Sequence, residues 1–418
     1  MSRWNALRAY ASLPAATGSW FLVVTLVGRV PATMGQLGAL LLVSGATQSL
    51  TLGGATAAAF AVGQAAGGPL VGRTADRYGH RPAGLAAAVA HTAALVLLVL
   101  CVGADAPTWA SLASSAVAGF SVPQVGPLSR ARWTALAHRG RLPVDRLPTA
   151  MSFEGTGDEL AFVLGPALVG VIATAASPRT AVLVAAGLTV TTCVAFALHA
   201  TATLVVGERE RATGARAPLA PVLILAAGLT GLGCYFGSIQ AGVTWRAEDA
   251  GAGGAAGLIY AILGLSSALA GVLVPMLPAS LPLVRRLQGG FVLLGVLSLP
   301  LAITGGLNAG GLWVLAPLIA LPGVTIAPIL VTAYTLAEMA VPVERISWVM
   351  TLLTSSVVIG YAIGALLSGS LADRYGPAAP FLIALAATGA GAAAGTFGWR
   401  RLAALRPGAR MGRHAPAR

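Results

Sequence analysis

Gly72 to Pro82 read GRTADRYGHRP, a charged stretch in a chain that is otherwise almost without charge. An apolar run over 53–72 leads into it and another over 82–102 leads out. Each is long enough to cross a hydrocarbon core of about 30 Å, which takes about 20 mostly apolar residues when the backbone bonds to itself as a helix. The stretch therefore reads as a tight connection between two membrane-spanning helices. Working outward, the same pattern recurs over 16–43, 107–128, 150–175, 180–205, 218–243, 253–277, 287–305, 310–334, 346–370 and 378–399, which makes twelve runs. None alternates apolar and polar residues as the strand of a membrane barrel would. The composition agrees: 56% of the 418 residues are hydrophobic and 9% are charged, against the roughly 25% charged residues of a soluble domain. So few ionisable groups cannot furnish a water-facing skin for a chain of this size.

The charge that exists is arranged by side. The formal +13 rests on 26 arginines, with no lysine, against 13 acids. With the N-terminus placed in the cytoplasm, 22 of the 26 arginines fall in cytoplasmic segments, only Arg179, Arg246 and Arg374 fall outside, and Arg29 lies within the first run. Cytoplasmic loops are expected to hold the positive charge, so twelve spans with both termini cytoplasmic are predicted. The basic balance is then a topology signal. It suits a lipid bilayer with anionic headgroups, above all for the Arg-rich tail at 400–418, and not a nucleic acid. The segment GERERATGARA at 207–217 sits at mid-chain and divides the spans into sets of six, 1–206 and 218–399. Two such halves joined by a charged linker are the hydropathy pattern of repeated bundles. No small-residue cleavage site follows the first apolar run, which is read as the first helix and not as a leader. Cys101, Cys193 and Cys234 each stand alone in an apolar run, so neither a disulfide nor a metal site is expected.

The stretch at 72–82 resembles the loop between helices two and three of the major facilitator superfamily, Gly-x-Leu-Ala-Asp-Arg-x-Gly-Arg-Lys. Gly72, Ala75, Asp76, Arg77, Gly79 and Arg81 fall on that pattern, while Thr74 replaces the Leu and His80 the first residue of the closing basic pair. The resemblance implies an all-α integral membrane fold of twelve helices in two six-helix bundles. It also implies that Asp76, Arg77 and Arg81 belong to a charge latch closing the halves on the cytoplasmic side. A carboxylate at a helix end suits the positive N-terminus of a neighbouring helix; an ordinary solvated turn would carry the same residues. A second copy of the core, ADRYG at 372–376, follows the eleventh run on the outer side. Asp373 and Arg374 are therefore expected to form a local turn pair. The loop after the eighth run, where the family's symmetry would put a second latch, has Arg285 and Arg286 but no acid.

The fifth run reads FEGTGDELAFVLGPALVGVIA over Phe153 to Ala173. Ionisable groups at membrane depth are costly and face a partner or a wet path by default. Glu154 and Asp158, four apart, share one face, and Glu159 points about 100° away. Arg29 is read as the sole cation within the membrane, with Asp158 or Glu159 as its expected partner. That pair serves either proton coupling or static packing, and the sequence leaves both open. Farther on, Ala161, Gly165, Pro166 and Gly170 resemble the helix-five signature Gly-x-x-x-Gly-Pro-x-x-Gly-Gly of the family's antiporters, with Ala161 and Val169 departing from it. This implies a helix-five bend and export in exchange for protons.

Gly63 with Gly67, and Gly360 with Gly364, allow close helix packing. In the family, helices two and eleven meet between the halves, where sliding would need small residues, and ordinary static packing explains these glycines equally well. The family's substrate helices are one, four, seven and ten, which here carry Gln36, Gln124, Tyr235, Gln240 and Tyr334. They suggest a weakly polar cavity. His91 and His199 are read as buried structural histidines or helix-interface donors. There is no GxxxxGK[ST], and GTGDEL at Gly155 fails the dinucleotide pattern, so no cofactor is expected. Absent also are HExxH, GxSxG and any metal-ligand cluster, so an enzyme is not expected. The combined expectation is a monomeric, multi-pass plasma-membrane transporter that exports a small organic or drug-like molecule by alternating access. The alternatives are an uptake permease of the same fold and a membrane binding or sensor protein that no longer transports.

Overall fold

A computed structural model describes residues 10–104, 106–205, 219–252, 255–278, 280–307, 310–342 and 345–397. The linker at 207–217, the tail at 400–418 and the N-terminal Arg3 and Arg8 lie outside the described residues.

Helix occupies every one of the twelve apolar runs. The first is broken into α1 (Leu13–Thr17), α2 (Ser19–Val27) and α3 (Val30–Thr47). Gly18, at φ 82°, separates α1 from α2, and Gly28 with Arg29 separates α2 from α3 just ahead of Pro31. Next come α4 (Leu50–Tyr78) and α5 (His80–Gly103), with Gly79 alone between them at φ 94°. That conformation strains any residue with a Cβ, which accounts for a glycine there. The fourth run forms α6 (Thr108–Phe120) and α7 (Val125–His138), interrupted at Ser121–Gln124 by Pro123. It is followed by α8 (Leu147–Ala175), α9 (Pro178–Leu188), a π turn over Thr189–Cys193 and α10 (Val194–Leu198). After the linker run α11 (Leu219–Asp249), α12 (Ala255–Leu273), α13 (Leu283–Gly306), α14 (Leu315–Ala340), α15 (Ile346–Tyr375) and α16 (Ala378–Phe397).

Among the described residues, nine helical stretches are by themselves long and apolar enough to cross a membrane. Large apolar side chains such as Val62, Trp109, Leu366 and Leu382 are bare on the outside of the bundle. Water would penalise such a surface and lipid does not. The buried cores divide along the chain. One cluster draws on residues from Val222 to Ala387 with Ala131 added. The others draw on Leu13 to Val205 and take in Val274 and Val331. Between these regions α4 packs on α15, and α8 on α12 and α14.

Two glycine seams hold helices at backbone distance as static packing, away from the contact between helices two and eleven. A Cβ on Gly63 or Gly67 would overlap the carbonyls of Ala116 and Phe120, so α4 lies against α6 through these residues. Gly360 and Gly364 meet Thr230 and Cys234 in the same way, so α15 lies against α11. The contact expected between helices two and eleven, α4 and α15, does exist, but it runs through Gly68 and Gly72 against Ser355, Thr351 and Ser347. The correction is one of helix face: Gly63 and Gly67 lie on one side of α4, and Gly68 and Gly72 on the next, about 100° round per residue.

Candidate functional site

The break between α2 and α3 turns Arg29 into the bundle, where it is 5% exposed. Its Nη1 donates to the carbonyl of Thr25 at 2.7 Å. Its Nη2 pairs with Glu154 on α8, and its Nε lies 2.7 Å from Asp158 Oδ1 one turn further along that helix. Glu154 is fully buried and also accepts from Ser129 Oγ at 2.7 Å and Trp133 Nε1 at 2.6 Å, both on α7. Asp158 pairs on its other oxygen with Arg130 of α7. The guanidinium of Arg130 lies 4.0 Å from the ring centroid of Tyr334 on α14, a cation–π distance. Tyr334 in turn shares a 3.0 Å hydrogen bond with Thr354 on α15. Two arginines thus face two carboxylates, and the cluster, buried except at the partly exposed Asp158, has no formal net charge. Glycines make the room: a Cβ on Gly157 would stand 2.9 Å from Arg29 Nη1, and one on Gly126 2.9 Å from Asp158 Oδ1.

Three expectations change here. The carboxylate that joins Asp158 at Arg29 is Glu154 and not Glu159, because the four-residue spacing puts these two on one face. Glu159, 7% exposed, faces α12 instead, with one carboxylate oxygen 3.8 Å from where a Cβ on Gly264 would stand. Arg29 is not the sole buried cation. The fourth run does not end at residue 128, since α7 continues to His138 and carries Arg130 and Arg132 inward, both fully buried. The sequence reading counted them as loop arginines. The signal that would have found them is their place in GPLSRARW, directly after a proline-broken span.

The motif at 72–82 builds a second set of contacts between the chain's halves. Ser347 and Trp348 lie in the first turn of α15, where backbone N–H groups have no partner within the helix. Asp76 supplies one: its oxygens accept from Ser347 N at 3.1 Å and Trp348 N at 2.8 Å. Gly72 allows this approach. His80, which stands where the family pattern has a basic residue, is fully buried with Nε2 2.8 Å from Ser347 Oγ. Arg132 reaches His80 Nδ1 at 3.4 Å, which leaves the ring proton on Nε2, facing Ser347. Arg132 is itself held by the carbonyl of Phe196 at 2.8 Å and Thr201 Oγ1 at 3.1 Å. Arg77 and Arg81 take no part: both are exposed, and Arg77 lies over the ring of Tyr78. Further contacts close the same end of the bundle. His138 stands 3.6 Å from Glu338, Ser152 Oγ donates to the carbonyl of Gly271, and Tyr10 OH donates to the carbonyl of Val272.

At the opposite end, residues of α11 and α15 line a cleft of about 410 Å³. Its wall holds Gln240, Thr244, Trp245, Tyr361 and Ser368, with no charged side chain. Tyr361 OH donates to Gln240 Oε1. Of the five residues expected in a cavity, only Gln240 lines this one. Tyr235 lies in the core of the second half, bonded to Ser298 at 3.0 Å. Gln124 turns back onto the carbonyl of Val122 at 3.1 Å, Gln36 is partly exposed on α3, and Tyr334 sits beneath Arg130.

In the helix-five signature, the carbonyl of Ala161 accepts from Thr33 Oγ1 at 2.8 Å, and a Cβ on Gly165 would overlap that hydroxyl. The signature's small residues therefore dock α8 on α3. α8 runs through Pro166 to Ala175 as one helix, and Gly170 faces open space. His91 is fully buried with Nδ1 2.7 Å from the carbonyl of Ala118. His199, just past α10, accepts from Thr201 N, and burial first and the charge of Arg132 second hold its pKa below the ordinary value. The side chain of Asp373, in the second ADRYG copy, lies outside the described residues; Arg374 is exposed. Among the described residues no three His, Cys, Asp or Glu side chains converge as a metal site would require.

No curated protein matches the chain. Solved structures do. The human organic anion transporter MFSD10 (TETRAN) superposes with a TM-score of 0.68 at 17% identity, covering 90% of this chain and 99% of its own. A bacterial homologue of the iron transporter ferroportin, in an outward-facing state, gives 0.69 at 14% identity over 92% and 99%. At such identities the likeness is one of fold. The sequence itself matches the model of the Major Facilitator Superfamily over residues 11–352, a span that takes in both the buried charge cluster and the contact of Asp76 with α15. The chain therefore belongs to the Major Facilitator Superfamily and is a membrane transport protein, not an enzyme.

Proposed function

We propose that the chain is a secondary active transporter of twelve spanning helices in two six-helix bundles, 1–206 and 218–399, that exports a small organic or drug-like molecule in exchange for protons. Both termini, the linker and the Arg-rich tail lie in the cytoplasm, and the protein works as a monomer in the plasma membrane. One observation carries the reading. The bundle is closed at one end by Asp76 on the N-terminus of α15, and at the other end it has an open cleft. With the side assigned by the arginines, this arrangement is an outward-facing state, one of the two that alternating access requires. The uncharged, partly aromatic wall of the cleft suits a weakly polar substrate. The ionisable groups within the bundle, Arg29, Glu154, Glu159 and the partly exposed Asp158, supply a site where a proton can bias the equilibrium between states. The resemblance of Ala161, Gly165 and Pro166 to the antiporter signature supports the direction.

The test uses everted membrane vesicles with a preformed proton gradient and a panel of fluorescent lipophilic dyes beginning with ethidium. A dye that is carried should dissipate the gradient in vesicles holding the parent protein and not in vesicles lacking it. Should every dye that demonstrably binds leave the gradient untouched, the protein is a uniporter or a receptor, and the proposal falls.

A further inference from the structure

The proton-coupled reading names four ionisable residues, three of them buried and Asp158 partly exposed, without saying which of them carries the proton. The surroundings of each separate them. Glu154 and Asp158 are each fixed by an arginine, Asp158 by two, and Glu154 accepts two further hydrogen bonds. Protonating either would break the neutrality of the cluster and leave buried guanidinium charge uncompensated, which is strongly unfavourable. They are held as anions.

Glu159 is different, as a census of the elements around α8 shows. Neither α2 nor α3 contains an ionisable side chain, apart from Arg29 between them, which is spent on Glu154 and Asp158. On α7, Arg130 is engaged by Asp158, Arg132 by Phe196 and Thr201, and His138 by Glu338. On α9 the one ionisable group, Arg179, is near Gly103 at the end of α5. The turn before α8 holds Asp145 and Arg146, which pair with each other at 3.5 Å. On α14, Tyr334 lies under Arg130, and Glu338 faces His138. α12 offers only Tyr260 and the hydroxyls of Ser266 and Ser267. Among the described residues no cation pairs with Glu159, and its nearest charge is Asp158, of the same sign. A carboxyl so placed is stable as the neutral acid and not as the anion.

Its place is as telling as its surroundings. Glu159 lies in the seam where α8 meets α12, one of the contacts joining the two halves of the chain. The seam is shut on both sides of it: Ser152 bonds to Gly271, Thr156 packs at Gly271, and Val163 packs at Gly264. Rocking of the halves has to open this seam and admit water.

We propose that Glu159 is the proton carrier: a neutral acid while the α8–α12 seam is shut, ionised when the seam opens to water. The step is the loss of one proton from the carboxyl to water on one side and the recapture of one from water on the other. The Arg29–Glu154–Asp158–Arg130 cluster then keeps its charges throughout and acts as a hinge support. This rests on the proton-coupled reading above.

Infrared spectroscopy of the lipid-reconstituted protein tests it without a substrate. The carbonyl stretch of a protonated carboxyl lies apart from the amide bands, and its loss with rising pH reports ionisation. In the parent one such band should be present and be lost as the pH rises. It should vanish in Glu159→Gln, persist in Glu159→Asp with a shifted frequency, and persist in Asp158→Asn and Glu154→Gln. Asp76→Asn identifies any band from the α15 contact. That same substitution weakens the shut state, so the proton affinity of Glu159 should fall about tenfold, within the usual range of coupling between sites. A band that survives Glu159→Gln but is lost in Asp158→Asn would overturn the assignment and leave proton coupling standing. An unchanged Glu159 titration in Asp76→Asn would also overturn it, since the seam would not control the proton. The absence of any titrating carboxyl band in all the proteins would remove the proton-coupled reading itself.

Discussion

The two ends of α15 are built on opposite principles. At its N-terminus the helix is pressed onto α4 across Gly68 and Gly72, the N–H groups of Ser347 and Trp348 donate to Asp76, and Ser347 Oγ accepts from His80. Toward its C-terminus it stays tight against α11 through Gly360 and Gly364, and from Tyr361 on the two helices together line the cleft. One helix is thus bonded to the other half of the chain at its start and borders open space at its finish. The lesson is that the closed end depends on a few directional hydrogen bonds to a helix terminus, which can be made and broken as a unit. The glycine seams inside each half are continuous backbone contact and stay intact when a bundle moves as a rigid body.

The comparison can be broken most severely at Gly72. Its Cβ would overlap Thr351 Oγ1 and stand 2.7 Å from the backbone carbonyl of Ser347, which cannot rotate away. Gly72→Val should therefore force α4 from α15 at a cost of about 1–3 kcal/mol, typical of overpacking. Spin labels placed at the ends of these two helices should report a longer distance, and adding Thr351→Ala should not restore it. A full return to the parent distance in the double variant would show that the side chain and not the backbone sets the approach.

Asp76→Asn comes next. It keeps the shape, removes the charge, and replaces one accepting oxygen by an amide that cannot accept. Hydrogen bonds to charged groups contribute about 1.5–3 kcal/mol, so the ratio of closed to open should fall about 10- to 100-fold, read from the same spin-label distances. Equal populations in parent and variant would mean that Asp76 merely occupies the helix end and does not hold it.

The smallest effect is expected at the open end. Tyr361→Phe removes the hydroxyl that Gln240 accepts but leaves the aromatic wall in place. A neutral hydrogen bond contributes about 1 kcal/mol, so the affinity for a bound dye should change by about fivefold at most, with no change in the spin-label distance at the other end. A distance change there would show that the cleft wall and the latch are coupled, and that the ends of α15 are less independent than their construction suggests.

Much of this was legible in the residues. Apolar runs of about 20 residues fix helices in a membrane because the backbone has no other way to satisfy itself in lipid. The spacing of Asp76 after Gly72 puts a carboxylate where it meets a helix start. The four-residue interval from Glu154 to Asp158 puts both on one face, and local geometry alone ensures that Glu159 is not there. Those are facts of sequence, since they depend on helical periodicity and on short connections such as Gly79. Which faces meet is settled by packing across the whole bundle. The choice of Glu154 beside Asp158 at Arg29, the inward reach of Arg130 and Arg132, the use of Gly68 and Gly72 in place of Gly63 and Gly67 between α4 and α15, and the burial of Tyr235 in a core away from the cleft all depend on the rotation of one helix against another. That rotation is set by interdigitation of side chains from segments distant along the chain, from 28 residues between Arg130 and Asp158 to 125 between Arg29 and Glu154, and no local pattern encodes it.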